Sequence, residues 1–183
     1  RTALRYAREW GLTLPGAQLS ALRQDIVAGQ IRRGGRGDPA ATERALRALG
    51  APAAGTVPRL VLSQPSEQRR AYDLLVAFRD ARRSADALAV FAQIEAAGLA
   101  TPPYALIAAA DAHQMLRQPE AAEALYRRVG ELDPANPQAR IGLFYALVEQ
   151  DRFGEALAVI DGAQRDAERA AAGEPGARAA GPL

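Results

Sequence analysis

From residue 68 onward the chain repeats itself about every 34 residues, and a period of that length constrains the fold more than any single motif does. A unit that starts at Pro103 carries Leu106, Ala109, Ala110, His113, Ala122, Tyr126, Val129 and Pro134. The next starts at Pro137 and offers Leu143, Leu147, Phe153, Ala156, Ile160 and Ala163. An earlier unit, starting near Gln68, supplies Leu74, Leu75, Phe78, Ala87, Phe91 and Ile94, with one extra residue before Pro102. Each unit has room for two helices. The chain holds 43 alanines and only 5% aromatic residues, which favours helices packed closely through small side chains over a sheet.

These positions resemble the tetratricopeptide signature, a helix pair of about 34 residues. The resemblance implies an all-α solenoid of antiparallel helix pairs, with units over residues 68–102, 103–136 and 137–169. The pattern has a packing logic. Ala122 is expected where the two helices of its unit cross, so that a larger side chain would push them apart, and Phe91 and Tyr126 are expected to fill the space toward the adjoining unit. Phe144 and Leu75 stand where the signature has a small residue, and His113 where it has an aromatic one.

Residues 1–50 read as helices that form a degenerate repeat or a leading section. Residues 2–10 make a short helical pattern that ends at Gly11. Residues 17–33 place Leu19, Leu22, Ile26, Val27 and Ile31 on one face and stop at Gly34-Gly35. Asp38-Pro39 signals a third start, a capping Asp with Pro at the first helical position, and Ala45, Leu46 and Leu49 lead on to Gly50. Residues 51–67 contain Pro52, Gly55, Pro58 and Pro65 and read as a connector. Residues 170–183, rich in Ala, Gly and Pro, are expected to form a disordered tail. The chain starts at Arg1 without an initiator Met or a signal sequence, and so reads as an excised piece of something larger.

Several chemistries are excluded by residue type. With no cysteine there is no disulfide, zinc–thiolate site or thiol catalysis. One histidine, His113, argues against a histidine-rich metal site or a Ser-His-Asp triad; it reads as a core residue with a local hydrogen bond. No cofactor is expected. No apolar run approaches the roughly 18 residues of a membrane span. All 23 basic residues are arginine and face 21 acidic ones, and a net charge of +2 supplies little pull toward nucleic acid. Arg32, Arg33 and Arg36 sit in a glycine-rich turn that reads as a solvated loop. Gly34-Gly35-Arg36-Gly37 has no preceding strand and no following Lys-Ser/Thr, so it is no phosphate loop. Trp10 and Tyr6 read as packing residues.

In such arrays the first helix of each pair lines the concave surface. The groove-facing places carry Arg69, Tyr72, Val76, Arg79 and Asp80 in the first unit, and Tyr104, Ile107, Asp111, Gln114 and Met115 in the second. The third supplies Gln138, Ile141, Tyr145, Val148 and Glu149. The candidate binding residues are therefore Tyr72, Asp80, Tyr104, Asp111, Gln114, Tyr145 and Glu149. Tyrosine faces suit sugar rings, and Asp80, Asp111 and Glu149 suit a ligand with scattered positive charge. No catalytic residue is assigned. The fold's familiar grip on a chain-terminal carboxylate uses groove lysines, and this chain has none.

Three stretches carry a narrower resemblance: Pro103-Tyr104-Ala105-Leu106, residues 117–126, and Gly142-Leu143-Phe144-Tyr145-Ala146-Leu147-Val148-Glu149. Together with residues 30–34 and 45–49 they are similar to the periplasmic repeat region of the outer-membrane porins that export poly-β-1,6-N-acetyl-D-glucosamine, a biofilm polysaccharide (the PgaA family). Membership would imply a periplasmic, non-enzymatic scaffold within a parent chain that also carries an outer-membrane β-barrel. Its partners would be partly deacetylated amino-sugar polymer and the periplasmic deacetylase that modifies it. The competing readings are a generic protein-interaction adaptor whose groove takes a peptide or helix and the periplasmic arm of a cellulose-type exporter. An enzyme comes last, because no nucleophile–base pair or paired-carboxylate constellation is visible.

Overall fold

The computed structural model describes residues 39–172. The expected helices over residues 2–10 and 17–33, the arginine-rich turn, Trp10, Tyr6 and residues 173–183 lie outside that range. Seven helices follow one another within it: α1 (Pro39–Ala48), α2 (Pro65–Asp80), α3 (Ser84–Ala96), α4 (Pro103–Met115), α5 (Pro119–Leu132), α6 (Pro137–Val148) and α7 (Phe153–Ala171). There is no strand among the described residues, and none of their helices is long and apolar enough to cross a membrane. The first repeated helix begins at Pro65, three residues before the expected Gln68, and α7 runs two residues past 169.

Proline and asparagine explain where the helices start. Pro39, Pro65, Pro103, Pro119 and Pro137 each stand first in their helix, where the missing N–H had no intrahelical acceptor in any case. At α6 the Asn136 side chain caps the end by accepting from the Ala139 N–H at 3.0 Å. At α2 the Glu67 carboxylate accepts from the Gln64 N–H at 3.2 Å.

The turn between the two helices of each unit has one repeated geometry. Arg82, Arg117 and Asp151 adopt positive φ, at 57°, 57° and 59°. Each lies between a closing pair of helix-end bonds, of which Arg83 N–H to Phe78 O, Gln118 N–H to His113 O and Arg152 N–H to Leu147 O are the wider. None of the three is glycine, although that backbone region favours it. His113, half-buried at the end of α4, sets its Nδ1 2.7 Å from Gln118 Oε1, a local contact across the same turn.

α2/α3, α4/α5 and α6/α7 form the pairs. The first helices α2, α4 and α6 also contact one another in turn, whereas the backbones of α3, α5 and α7 stay apart and are bridged by the ion pairs Arg128–Glu95 and Arg127–Glu155. The stack therefore curves, with the first helices inside. α4 sits at its centre, against α2, α3, α5 and α6, and is apolar nearly all round: Ala105 through Ala110 and Ala112 are buried. Alanine is what lets four neighbours approach one helix. Ala87, Ala122 and Ala156, at the same place in the three units, are likewise buried.

Between units a larger residue meets a smaller one. Tyr126 of α5 is fully buried and lies against Gly142 of α6, where a Cβ would fall inside the tyrosine ring. An ionic knot around the buried Glu123 reinforces the same junction. Glu123 of α5 accepts from Arg127 Nε at 2.8 Å, Gln150 Nε2 at 2.8 Å and Arg152 Nη1 at 2.6 Å. Burial pushes the Glu123 carboxyl up, but donation from Gln150 and Arg127 and the charges of Arg127 and Arg152 outweigh it, and the net shift is downward. At the other end, the connector is tied to α3. Gly55 N–H donates to Asp86 at 2.9 Å, Leu60 N–H donates to Gln93 at 2.7 Å, and Arg83 Nη1 donates to Pro52 O at 3.0 Å.

Two outcomes follow. Gly142→Ala should destabilise the protein by about 1–3 kcal/mol through overpacking, although alanine is the better helix former by about 1 kcal/mol; a thermal melt reads the sign. Glu123 has a depressed folded pKa, so its contribution is present above its unfolded value of about 4.3 and is lost as pH falls through the folded value. Glu123→Gln should therefore cost on the order of 1–2 kcal/mol at pH 7, with the gap to the parent closing below about pH 4 in denaturant titrations.

Candidate functional site

The inner side of the stack holds an open groove of about 1510 Å³. It brings together Asp80, Asp111, Gln114, Tyr145 and Glu149 of the sequence-derived set. Tyr72 and Tyr104 do not line it. Tyr72 donates its hydroxyl to Ala100 O at 3.0 Å, and burial raises the pKa of that hydroxyl. Tyr104 is half-buried at the start of α4.

Ion pairing sets the electrostatics of the groove. Arg79 Nη1 lies 2.6 Å from Asp111 Oδ2, and Arg79 Nε lies 2.7 Å from Asp80 Oδ1. Asp111 Oδ1 also accepts from the Tyr126 hydroxyl at 2.7 Å, and Gln114 Oε1 lies 3.0 Å from that hydroxyl. One guanidinium thus holds two carboxylates, and one of those carboxylates reaches the unit junction described above. Arg117 Nη1 pairs with Glu149 Oε1 at 3.2 Å, Arg83 Nε with Asp86 Oδ2 at 2.6 Å, and Arg47 with Glu43. Arg83 also lies over the Phe78 ring, 4.3 Å from its centroid.

All five carboxylates that line the groove, Glu43, Asp80, Asp86, Asp111 and Glu149, are consequently in ion pairs. Among the described residues Arg82 makes no ion pair; it is exposed on the groove rim. An ammonium-bearing ligand would have to displace a guanidinium to reach these acids, whereas a carboxylate meets Arg82 directly. Beside the charges stand exposed apolar side chains: Met115, Leu116 and Tyr145. Tyr145 is 54% exposed and edge-on to the Phe144 ring, with centroids 5.3 Å apart.

The groove-facing places leave out the residues that α1, the connector and the start of α3 contribute, such as Glu43, Gly55 and Asp86, and also Arg82, Arg83, Ser84, Leu116 and Arg117. The last five come from the turns between paired helices and the helix ends beside them, and a register that counts only first-helix places passes over them. Their signal was the common place of Arg82 and Arg117 in successive units. Among the described residues no three His, Cys, Asp or Glu side chains gather into a group that could hold a metal ion.

Removing Arg79 should be costly, because Asp80 and Asp111 would lose their shared counter-charge and Asp80 is nearly inaccessible to solvent. Arg79→Met is expected to lower stability by on the order of 2–4 kcal/mol, while Arg82→Ala, which breaks no pair, should leave the melting temperature within about 1 °C of the parent. Paired thermal melts check both.

Residues 115–173, spanning α5 to α7, match the tetratricopeptide repeat family. No curated protein matches the chain. The matched segment and the helix pairs around it make the described region an all-α solenoid of tetratricopeptide type, an architecture used for protein–protein contact.

Proposed function

We propose that the chain is a non-enzymatic scaffold whose groove binds a polypeptide segment carrying an acidic side chain beside apolar ones. The observation behind this reading is the state of the groove charges: each lining carboxylate is already in an ion pair, with Arg79 shared between Asp80 and Asp111, Arg82 is left to receive a carboxylate, and Met115, Leu116 and Tyr145 offer apolar contact. Arg82 contributes specificity more than affinity, since an exposed pair is worth under about 1 kcal/mol.

A second, narrower reading rests on the similarity of residues 103–106, 117–126 and 142–149 to polysaccharide-export porins. There the chain is the periplasmic scaffold of an exporter of poly-β-1,6-N-acetyl-D-glucosamine. The polypeptide occupant is the deacetylase, and partly deacetylated polymer passes along the same face. Tyr145 provides a ring face for sugar contact. The ammonium groups of the polymer compete with Arg79 and Arg117 for Asp111 and Glu149, so glycan binding is weak and sensitive to salt.

Nuclear magnetic resonance titration separates the two. The probes are a short peptide with Asp or Glu flanked by Leu, deacetylated oligosaccharides, and fully acetylated ones. The first reading expects saturable shifts around Arg82, Met115 and Tyr145 with the peptide, at a Kd of about 10⁻⁴ M, weakened roughly three- to fivefold by Arg82→Glu. Shifts with deacetylated oligomers that exceed those with acetylated ones, grow with length and vanish in salt would favour the second. Equal glycan shifts would refute its electrostatic basis. Turnover of the polymer, abolished by one carboxylate substitution, would overturn the non-enzymatic assignment.

A further inference from the structure

The last helix carries a second surface, separate from the groove. α7 is 19 residues long, the longest of the seven. Its inward stripe centres on buried Ala156, with Val159 and Ala163 half-buried. About a quarter-turn round the helix, Phe153, Leu157, Ile160, Gln164, Ala167 and Ala171 recur at intervals of 4, 3, 4, 3 and 4, and all six are exposed. That is a 3.5-residue seam, the spacing that packs one helix against another.

The repeat itself shows what such positions do when they are covered. Phe91 and Tyr126 occupy the place of Ile160 in the two preceding units, and they are 9% and 2% exposed against 40% for Ile160. Ile107 of α4 is 4% exposed, whereas Ile141, at the same place in α6, is 54% exposed. What buries Tyr126 is a helix, α6, with the small Gly142 at the contact. The surface on α7 and α6 thus continues, at the same register, an interface that is made elsewhere in the molecule by a helix.

Charge narrows the occupant. Asp161 and Glu168 flank the seam on one side, while Arg165 and Arg169 lie further round the helix. The remaining acids of α7, Glu155 and Asp166, are held by Arg152 and Arg140. A second copy of α7 packed antiparallel would set Asp161 and Glu168 against their own counterparts. Head-to-tail stacking of copies is also disfavoured, because the opposite end of the array is covered by α1 and the hydrogen-bonded connector. We propose that the seam of α7, continued by Ile141, docks an amphipathic α-helix of a partner protein whose apolar stripe is flanked by arginine or lysine. This surface is independent of the ligand proposed for the groove.

The test uses the full 183-residue chain and two 18-residue helical peptides with the same leucine and alanine stripe, one flanked by arginines and the other by glutamates. Fluorescence anisotropy should show saturable binding of the arginine peptide and at least tenfold weaker binding of the glutamate peptide. Leu157→Asp and Ile160→Asp should each lower affinity for the arginine peptide at least tenfold. Both residues are exposed, so melts should stay unchanged, and Leu157→Asp should still bind the acidic peptide used for the groove. Equal affinity for the two peptides, or binding undiminished by Leu157→Asp, would overturn the proposal. So would a dimer in sedimentation that Leu157→Asp dissolves, since the face would then belong to a second copy.

Discussion

Close approach of helices through small side chains is the constraint on which the rest of this molecule depends. Ala87, Ala122 and Ala156 set the crossing within each unit, and Gly142 sets the distance between the second and third by admitting the ring of Tyr126. Because these contacts leave no spare volume, the helices take one spacing. The spacing in turn decides which side chains on α2, α4 and α6 come within reach of each other along the inner face. Large residues would have stabilised the core through greater apolar area, but they would have separated the first helices and opened the groove floor.

The groove chemistry is built on that spacing. Tyr126 spans two roles: its ring fills the unit junction, and its hydroxyl donates to Asp111, which in turn holds Arg79 across from the neighbouring unit. Packing and electrostatics are thereby coupled through one side chain. Arginine suits this position because one guanidinium can serve two carboxylates from different edges of its planar fork. With no lysine in the chain, the cationic contacts of the groove are made by guanidinium groups, and the inner face comes out nearly neutral although it is dense in charge.

Much of the architecture was legible from residue positions. The register of Ala122 and Tyr126 located the helix pairs, and prolines at 103 and 137 marked helix starts to the residue. The start at Pro65 was less legible, since Pro65 reads equally as the end of a connector. Positive φ at Arg82 and Arg117 had no residue signal, and only at Asp151 does the residue type favour that region. Arginine does not announce a left-handed backbone, and the conformation accompanies the closing bonds of the preceding helix. That turn geometry carries Arg82 and Arg117 to the groove rim.

By itself the sequence determined the helical class and the period, because those depend on spacing along the chain and on side-chain size; the groove lining it reached only in part, since Tyr72 and Tyr104 do not line it and the turn residues Arg82 and Arg117 do. Tertiary structure alone decided the charge state of the inner face. Arg79 and Asp111 are 32 residues apart, as are Arg117 and Glu149, and no local pattern says which acid a guanidinium will choose. Only the stacking of one unit on the next brings those partners within 3.2 Å or less. It likewise decided that Ile160 stands in solvent where Tyr126 is buried. Identical places in a repeat differ in exposure because burial depends on the neighbouring helix and not on the residue's own register.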